Sequence, residues 1–183
     1  MGDHTEARRH TERMLASYVA PVHRSHTIRF QYDQGVLARG ILTRILWLQG
    51  FADQAMRLAQ SNAEGARATG HAISLCYALA PAACPVAFWI GDLSVAEHSV
   101  AMLLEHSDKH ALPVWQAWGR SLNGVLLIKR GEVARGLPVL KRARSRGLTK
   151  HDPRCLTWSS RASSAGFSDV LGNLTRELRS KVR

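Results

Sequence analysis

The feature that most constrains this chain is a repeat. Three segments open on Gly and place a small residue five positions later: Gly50-Phe51-Ala52-Asp53-Gln54-Ala55, Gly91-Asp92-Leu93-Ser94-Val95-Ala96 and Gly131-Glu132-Val133-Ala134-Arg135-Gly136. Their glycines lie 41 and 40 residues apart, and each follows an apolar block: Ile45-Leu46-Trp47-Leu48, Val86-Ala87-Phe88-Trp89-Ile90 and Leu126-Leu127-Ile128. A fourth copy is read at Gly2-Asp3-His4-Thr5-Glu6-Ala7, in a looser register. Periods of this length mark stacked supersecondary units, none of which buries its apolar face alone.

The physical reading of the motif is a helical hairpin. A helix ends, Gly takes a left-handed turn conformation that a Cβ disfavours, and a second helix starts. The small residue at Ala55, Ala96 or Gly136 then lets the two helices approach closely. Leu37, Ile41, Leu42, Ile45 and Leu48 mark one face before Gly50, and Leu93, Ala96, Val100, Leu103 and Leu104 mark another after Gly91. Trp115, Trp118, Leu122 and Val125 do the same before Gly131. No stretch alternates as a strand would. Helices are expected at 3–18, 27–49, 52–68, 72–90, 92–109, 112–130 and 132–145. Pro81 and Pro85 fall inside the fourth, so a kink or break is expected between Leu79 and Val86. Pro113 suits a first turn, whereas Pro138 falls late enough to cost something.

The glycine, the apolar residue two later and the alanine five later resemble the helix-turn-helix core of tetratricopeptide repeats, with longer helices. The stretch Met14–Leu140 is similar to the helical-repeat sensor regions of large bacterial transcriptional regulators that also carry an ATPase module. The runs that carry the likeness are Tyr18-Val19-Ala20-Pro21, Arg29-Phe30-Gln31-Tyr32-Asp33, Leu46-Trp47-Leu48-Gln49-Gly50-Phe51, Leu75-Cys76-Tyr77-Ala78-Leu79 and Trp115-Gln116-Ala117-Trp118-Gly119. The resemblance implies an all-α, right-handed solenoid of antiparallel helix hairpins. It implies no ATPase, because G-x-x-x-x-G-K-[ST] is missing, and no recognition helix is evident near either end. Both ends of the array read as uncapped, so a fragment of a longer regulator is expected, with residues beyond about 142 read from a disrupted frame.

Charge divides the chain. The net charge is +11, yet residues 1–140 hold 14 Lys and Arg against 11 Asp and Glu, while residues 141–183 hold 11 against 3. The expected organisation is a repeat domain over 1–142 and a basic, Ser/Arg-rich, poorly ordered extension over 143–183. No apolar run approaches about 18 residues and the N-terminus lacks an apolar signal core, so a cytoplasmic protein with no membrane segment is expected.

Catalytic chemistry finds no constellation. His106 and His110 would share a helix face, but no third ligand has a telling position, and a solvated helix end is the expectation. Cys76 and Cys84 sit on apolar faces, and Cys155 stands apart. No G-x-S-x-G is present. No catalytic, cofactor or metal residue is therefore expected. The positions singled out are the turn and packing residues Gly50, Ala55, Gly91, Ala96, Gly131 and Gly136. Trp47, Trp89, Trp115 and Trp118 are read as packing between successive helices rather than as a ligand groove. The functional expectation is a non-enzymatic scaffold that offers the first helix of each hairpin to a protein, a peptide or a small inducer. The alternative is a nucleic-acid-binding protein that grips phosphates non-specifically through its basic extension.

Overall fold

The computed structural model describes residues 3–19 and 32–147, and among them every regular element is helical. Gly2, the first residues of the expected 27–49 helix, His23, His26 and the extension from 148 onward, including Cys155, lie outside the described residues. Seven helices follow in order: α1 (His4–Ala16), α2 (Gln34–Leu48), α3 (Ala52–Ala68), α4 (Ala72–Ile90), α5 (Leu93–Lys109), α6 (Pro113–Lys129) and α7 (Val133–Gly147). Helix α7 continues past the domain boundary expected at 142.

The turns explain the period. Gly50, Gly91 and Gly131 have φ of 87°, 86° and 89°. At each, the following N–H reaches back to a carbonyl of the preceding helix: Phe51 to Leu46 at 2.9 Å, Asp92 to Ala87 at 3.0 Å and Glu132 to Leu127 at 2.9 Å. This is the Schellman closure, which satisfies otherwise orphaned carbonyls. The turn from α5 to α6 repeats it, with Leu112 N–H donating to Ser107 O at 2.9 Å. There the left-handed slot is filled by Ala111, with φ of 51°. Gly70, with φ of 66°, turns α3 into α4 and precedes Ala111 by 41 residues. The period therefore governs both sets of turns.

Helix starts follow their caps. Asp3, Asp33 and Asp92 accept N–H bonds in the first turns of α1, α2 and α5. Asp33 corrects the expected 27–49 helix: Tyr32 and Asp33 are not helical, and the carboxylate at Asp33 sets the start at Gln34. Within α4, the two prolines deflect the backbone without ending it. Residues Leu79–Ala83 form a π-helical turn, with Cys84 N–H donating to Leu79 O, between α-helical Ala72–Ala78 and Cys84–Ile90. A proline offers no N–H to the carbonyl four residues back, and the wider register accommodates that loss. Pro138 lies inside α7, which continues through it.

Paired helices run antiparallel. Asn62 on α3 donates to Val36 O on α2 at 3.0 Å, the two residues standing at similar distances on either side of Gly50. Helix α4 forms the centre and packs against α2, α3, α5 and α6. Its Leu79, Val86 and Phe88 are at most 1% exposed, and each such side chain contributes about 1.5–3 kcal/mol on leaving water. Helix α3 meets this core through Ala55, Ala59, Ala63 and Ala66, whose small side chains permit close approach. One expectation needs correction here. Helix α4 is long and apolar enough, by length and composition, to cross a membrane. Within this fold, 72% of that window is buried among the other helices, as in the core helix of a globular fold.

Candidate binding face

The turn and packing residues do not gather at one place. Each hairpin has its own set: Ala55 and Ala96 are fully buried, and Gly136 is buried against Gly124 and Ile128. They shape the scaffold. What the fold does bring together is a series of aromatic rings on α2, α4 and α6, the first helices of the hairpins. Tyr32, at the entrance to α2, lies 4.5 Å from Tyr77 on α4, centroid to centroid. Tyr77 meets Trp115 on α6 edge-on at 4.8 Å, and Trp115 lies 5.7 Å from Trp118. Such offset and edge-on pairs are favourable beyond their buried area, by about 0.5–1.5 kcal/mol each. At the opposite ends of α2 and α4, Trp47 and Trp89 are 4.4 Å apart. Helices α2 and α4 are thus joined by aromatics near both ends, and α4 and α6 through Tyr77 and Trp115. Tyr32 and Trp115 are buried, whereas Tyr77, Trp118, Trp47 and Trp89 keep an exposed edge.

A polar network borders the Tyr32–Tyr77 contact. The Asp33 carboxylate accepts the Val36 N–H with one oxygen and the Tyr18 hydroxyl with the other, both at 2.9 Å. Asp33 N–H donates to Ser74 Oγ at 2.8 Å, which ties the start of α2 to the first turn of α4. Ser74 Oγ lies 2.9 Å from His71 Nδ1, which also accepts the Ser74 N–H as the N-cap of α4. An Nδ1 that accepts the Ser74 N–H carries no hydrogen, so in this arrangement the ring is the Nε2–H tautomer and the Ser74 hydroxyl donates to it. Burial holds the His71 pKa below its ordinary value, and burial with the Asp33 bond pushes the Tyr18 hydroxyl up to about 12.

A serine, a histidine and an aspartate in one network invite comparison with a hydrolase. The geometry argues against it. Ser74 is fully buried, and the Asp33 oxygens are bound to Tyr18 and Val36 rather than to the imidazole. The network is a capping and docking device.

Other reactive groups are similarly accounted for. Burial raises the thiol pKa of Cys76 to about 12 and that of Cys84 further, which disfavours the thiolate nucleophile. His106 and His110 lie 4.5 Å apart, but His106 Nε2 is hydrogen-bonded to Ala72 O at 3.0 Å. His106 is thus a half-buried tie between α5 and α4, not part of a solvated end. Among the described residues, no group of three His, Cys, Asp or Glu side chains is placed to hold a metal ion.

Tyr32, Tyr77, Asp33, Ser74 and His71 were not expected as partners. Their spacing of roughly one repeat is visible in the sequence: Asp33 and Ser74 are 41 residues apart. This second set carries no glycine, and so lacks the mark by which the period shows itself in the sequence. Comparison with protein-family models, with curated proteins and with solved structures gives no match for this chain.

Proposed function

We propose that this protein is a non-enzymatic interaction scaffold, a right-handed tetratricopeptide-like stack of hairpins related to a regulator's sensor region. It takes a protein or peptide partner, or a small inducer, on the face formed by α2, α4 and α6. The observation that supports this reading is the Tyr32–Tyr77–Trp115–Trp118 series. It links three successive first helices while leaving ring edges of Tyr77 and Trp118 accessible. Accessible aromatic edges supply large contact area at low cost in side-chain entropy, which is why aromatics dominate binding hot spots. Repeat arrays bind extended partners in this manner, through a surface that spans several units.

The test is selection from a random peptide library displayed on phage, with the full chain as bait. Enriched peptides should lose binding to Trp118→Ala while the variant keeps its helical signal. Failure to enrich any sequence, or enrichment indifferent to Trp118, would count against the reading.

A further inference from the structure

The charge on the helices is segregated. Helices α2, α4 and α6 contain no Asp or Glu, whereas Glu6, Glu12, Asp53, Glu64, Glu97, Glu105 and Asp108 all lie on α1, α3 and α5. On α2, Ile41 is 46% exposed and Leu48 is 52% exposed, with Arg44 between them on the same helical face. Ile90 on α4 is also exposed, and the Trp47–Trp89 contact sets it at the same end of the array as Leu48. Arg44 has no ion-pair partner among the described residues. The first helices are therefore apolar and aromatic, with a cation set into the aliphatic stripe of α2, and the carboxylate nearest to them, Asp33 at the cap of α2, is engaged by Tyr18 and Val36.

Resting on the reading of this face as the partner surface, we propose that it takes an acidic amphipathic peptide segment of a partner protein. Apolar side chains of the segment lie on Ile41, Leu48 and the edges of Tyr77 and Trp118, and a carboxylate pairs with Arg44. A guanidinium flanked by apolar side chains favours this pairing, because Arg meets a carboxylate through two parallel hydrogen bonds. The absence of acidic residues on these helices removes the repulsion such a segment would meet on α1, α3 and α5. A nucleic acid or an anionic membrane fits less well, since each needs a continuous track of cations, and those on these helices, Arg39, Arg44, Arg120 and Lys129, are split between α2 and α6 with none on α4.

The test uses two synthetic amphipathic peptides with identical Leu and Phe positions, one carrying Glu and the other Lys at the polar positions. Each is titrated against the full chain and against Arg44→Glu and Trp118→Ala. The acidic peptide should bind wild type about tenfold more tightly than the basic one. Arg44→Glu should invert that preference, and Trp118→Ala should weaken both. If Arg44→Glu fails to fold, Arg44→Gln should abolish the preference without inverting it. Equal affinity of both peptides, still dependent on Trp118, would overturn the charge assignment and leave the face itself standing. Binding of neither peptide, or binding indifferent to both substitutions, would overturn the inference together with the reading it rests on.

Discussion

Gly124 and Gly136 are the point where α6 and α7 touch backbone to backbone. A Cβ on Gly136 would stand 2.7 Å from Gly124 O, and a Cβ on Gly124 would stand 3.2 Å from Gly136 O and 2.8 Å from the Leu140 side chain. Gly136→Ala should therefore destabilise the protein by about 1–3 kcal/mol despite its better helix propensity, because a carbonyl cannot rotate away as a side chain can. Thermal denaturation followed by circular dichroism checks this. Gly40 and Gly65 are helical glycines with room: a Cβ at Gly40 would meet nothing nearer than 3.6 Å, and one at Gly65 nothing within 4 Å. Alanine at either should stabilise by about 0.5–1 kcal/mol, the opposite sign.

The turn between α5 and α6 is the one Schellman closure here without glycine. Ala111 sits at φ of 51°, where a Cβ costs about 1–2 kcal/mol. Ala111→Gly should raise the melting temperature, and Gly91→Ala, at φ of 86°, should lower it. Equal and opposite small shifts would fit. A loss of stability in Ala111→Gly would contradict the turn geometry.

Much of this was legible in the sequence, and the misses have physical causes. Turn glycines announced α2 to α7 because the left-handed slot tolerates few other residues. The break between the helices expected at 92–109 and 112–130 is where the structure has it, but its left-handed residue was not legible, because Ala111 fills that slot at a cost. The prolines of α4 signalled a deflection but could not say which kind. Whether Pro81 breaks the helix or widens it to π depends on packing from α2, α3 and α5, which no local pattern carries. The aromatic contacts Tyr32–Tyr77 and Tyr77–Trp115 cross hairpins, so they emerge only once the fold is assembled. The expected start of α2 ignored Asp33, a cap whose partners Tyr18 and Ser74 lie far away in the chain.

Stability should fall on mild acidification. Burial lowers the pKa of both His71 and His106 from 6.5, so the folded state favours the neutral rings. A depressed histidine contributes stability above its unfolded pKa and loses it as the pH falls from about 6.5. His71→Asn keeps an N-cap acceptor without a titrating group. It should flatten part of the decline in melting temperature between neutral and mildly acidic pH.

At the alkaline end the sign reverses. Tyr18 is raised from 10.0 to about 12, so its contribution is present below pH 10 and is lost as the pH climbs toward 12. Tyr18→Phe should remove that part of the alkaline sensitivity. It should also weaken the hold on Asp33, seen as faster amide exchange at Val36, which Asp33 caps.

The most direct measurement of the central claim is chemical-shift mapping of the full chain titrated with the acidic amphipathic peptide. Shifts should concentrate on α2, α4 and α6, with the Trp118 indole N–H and the Arg44 guanidinium among those that move most. Shifts confined to α1, α3, α5 and α7, with the Trp118 indole unmoved, would contradict it.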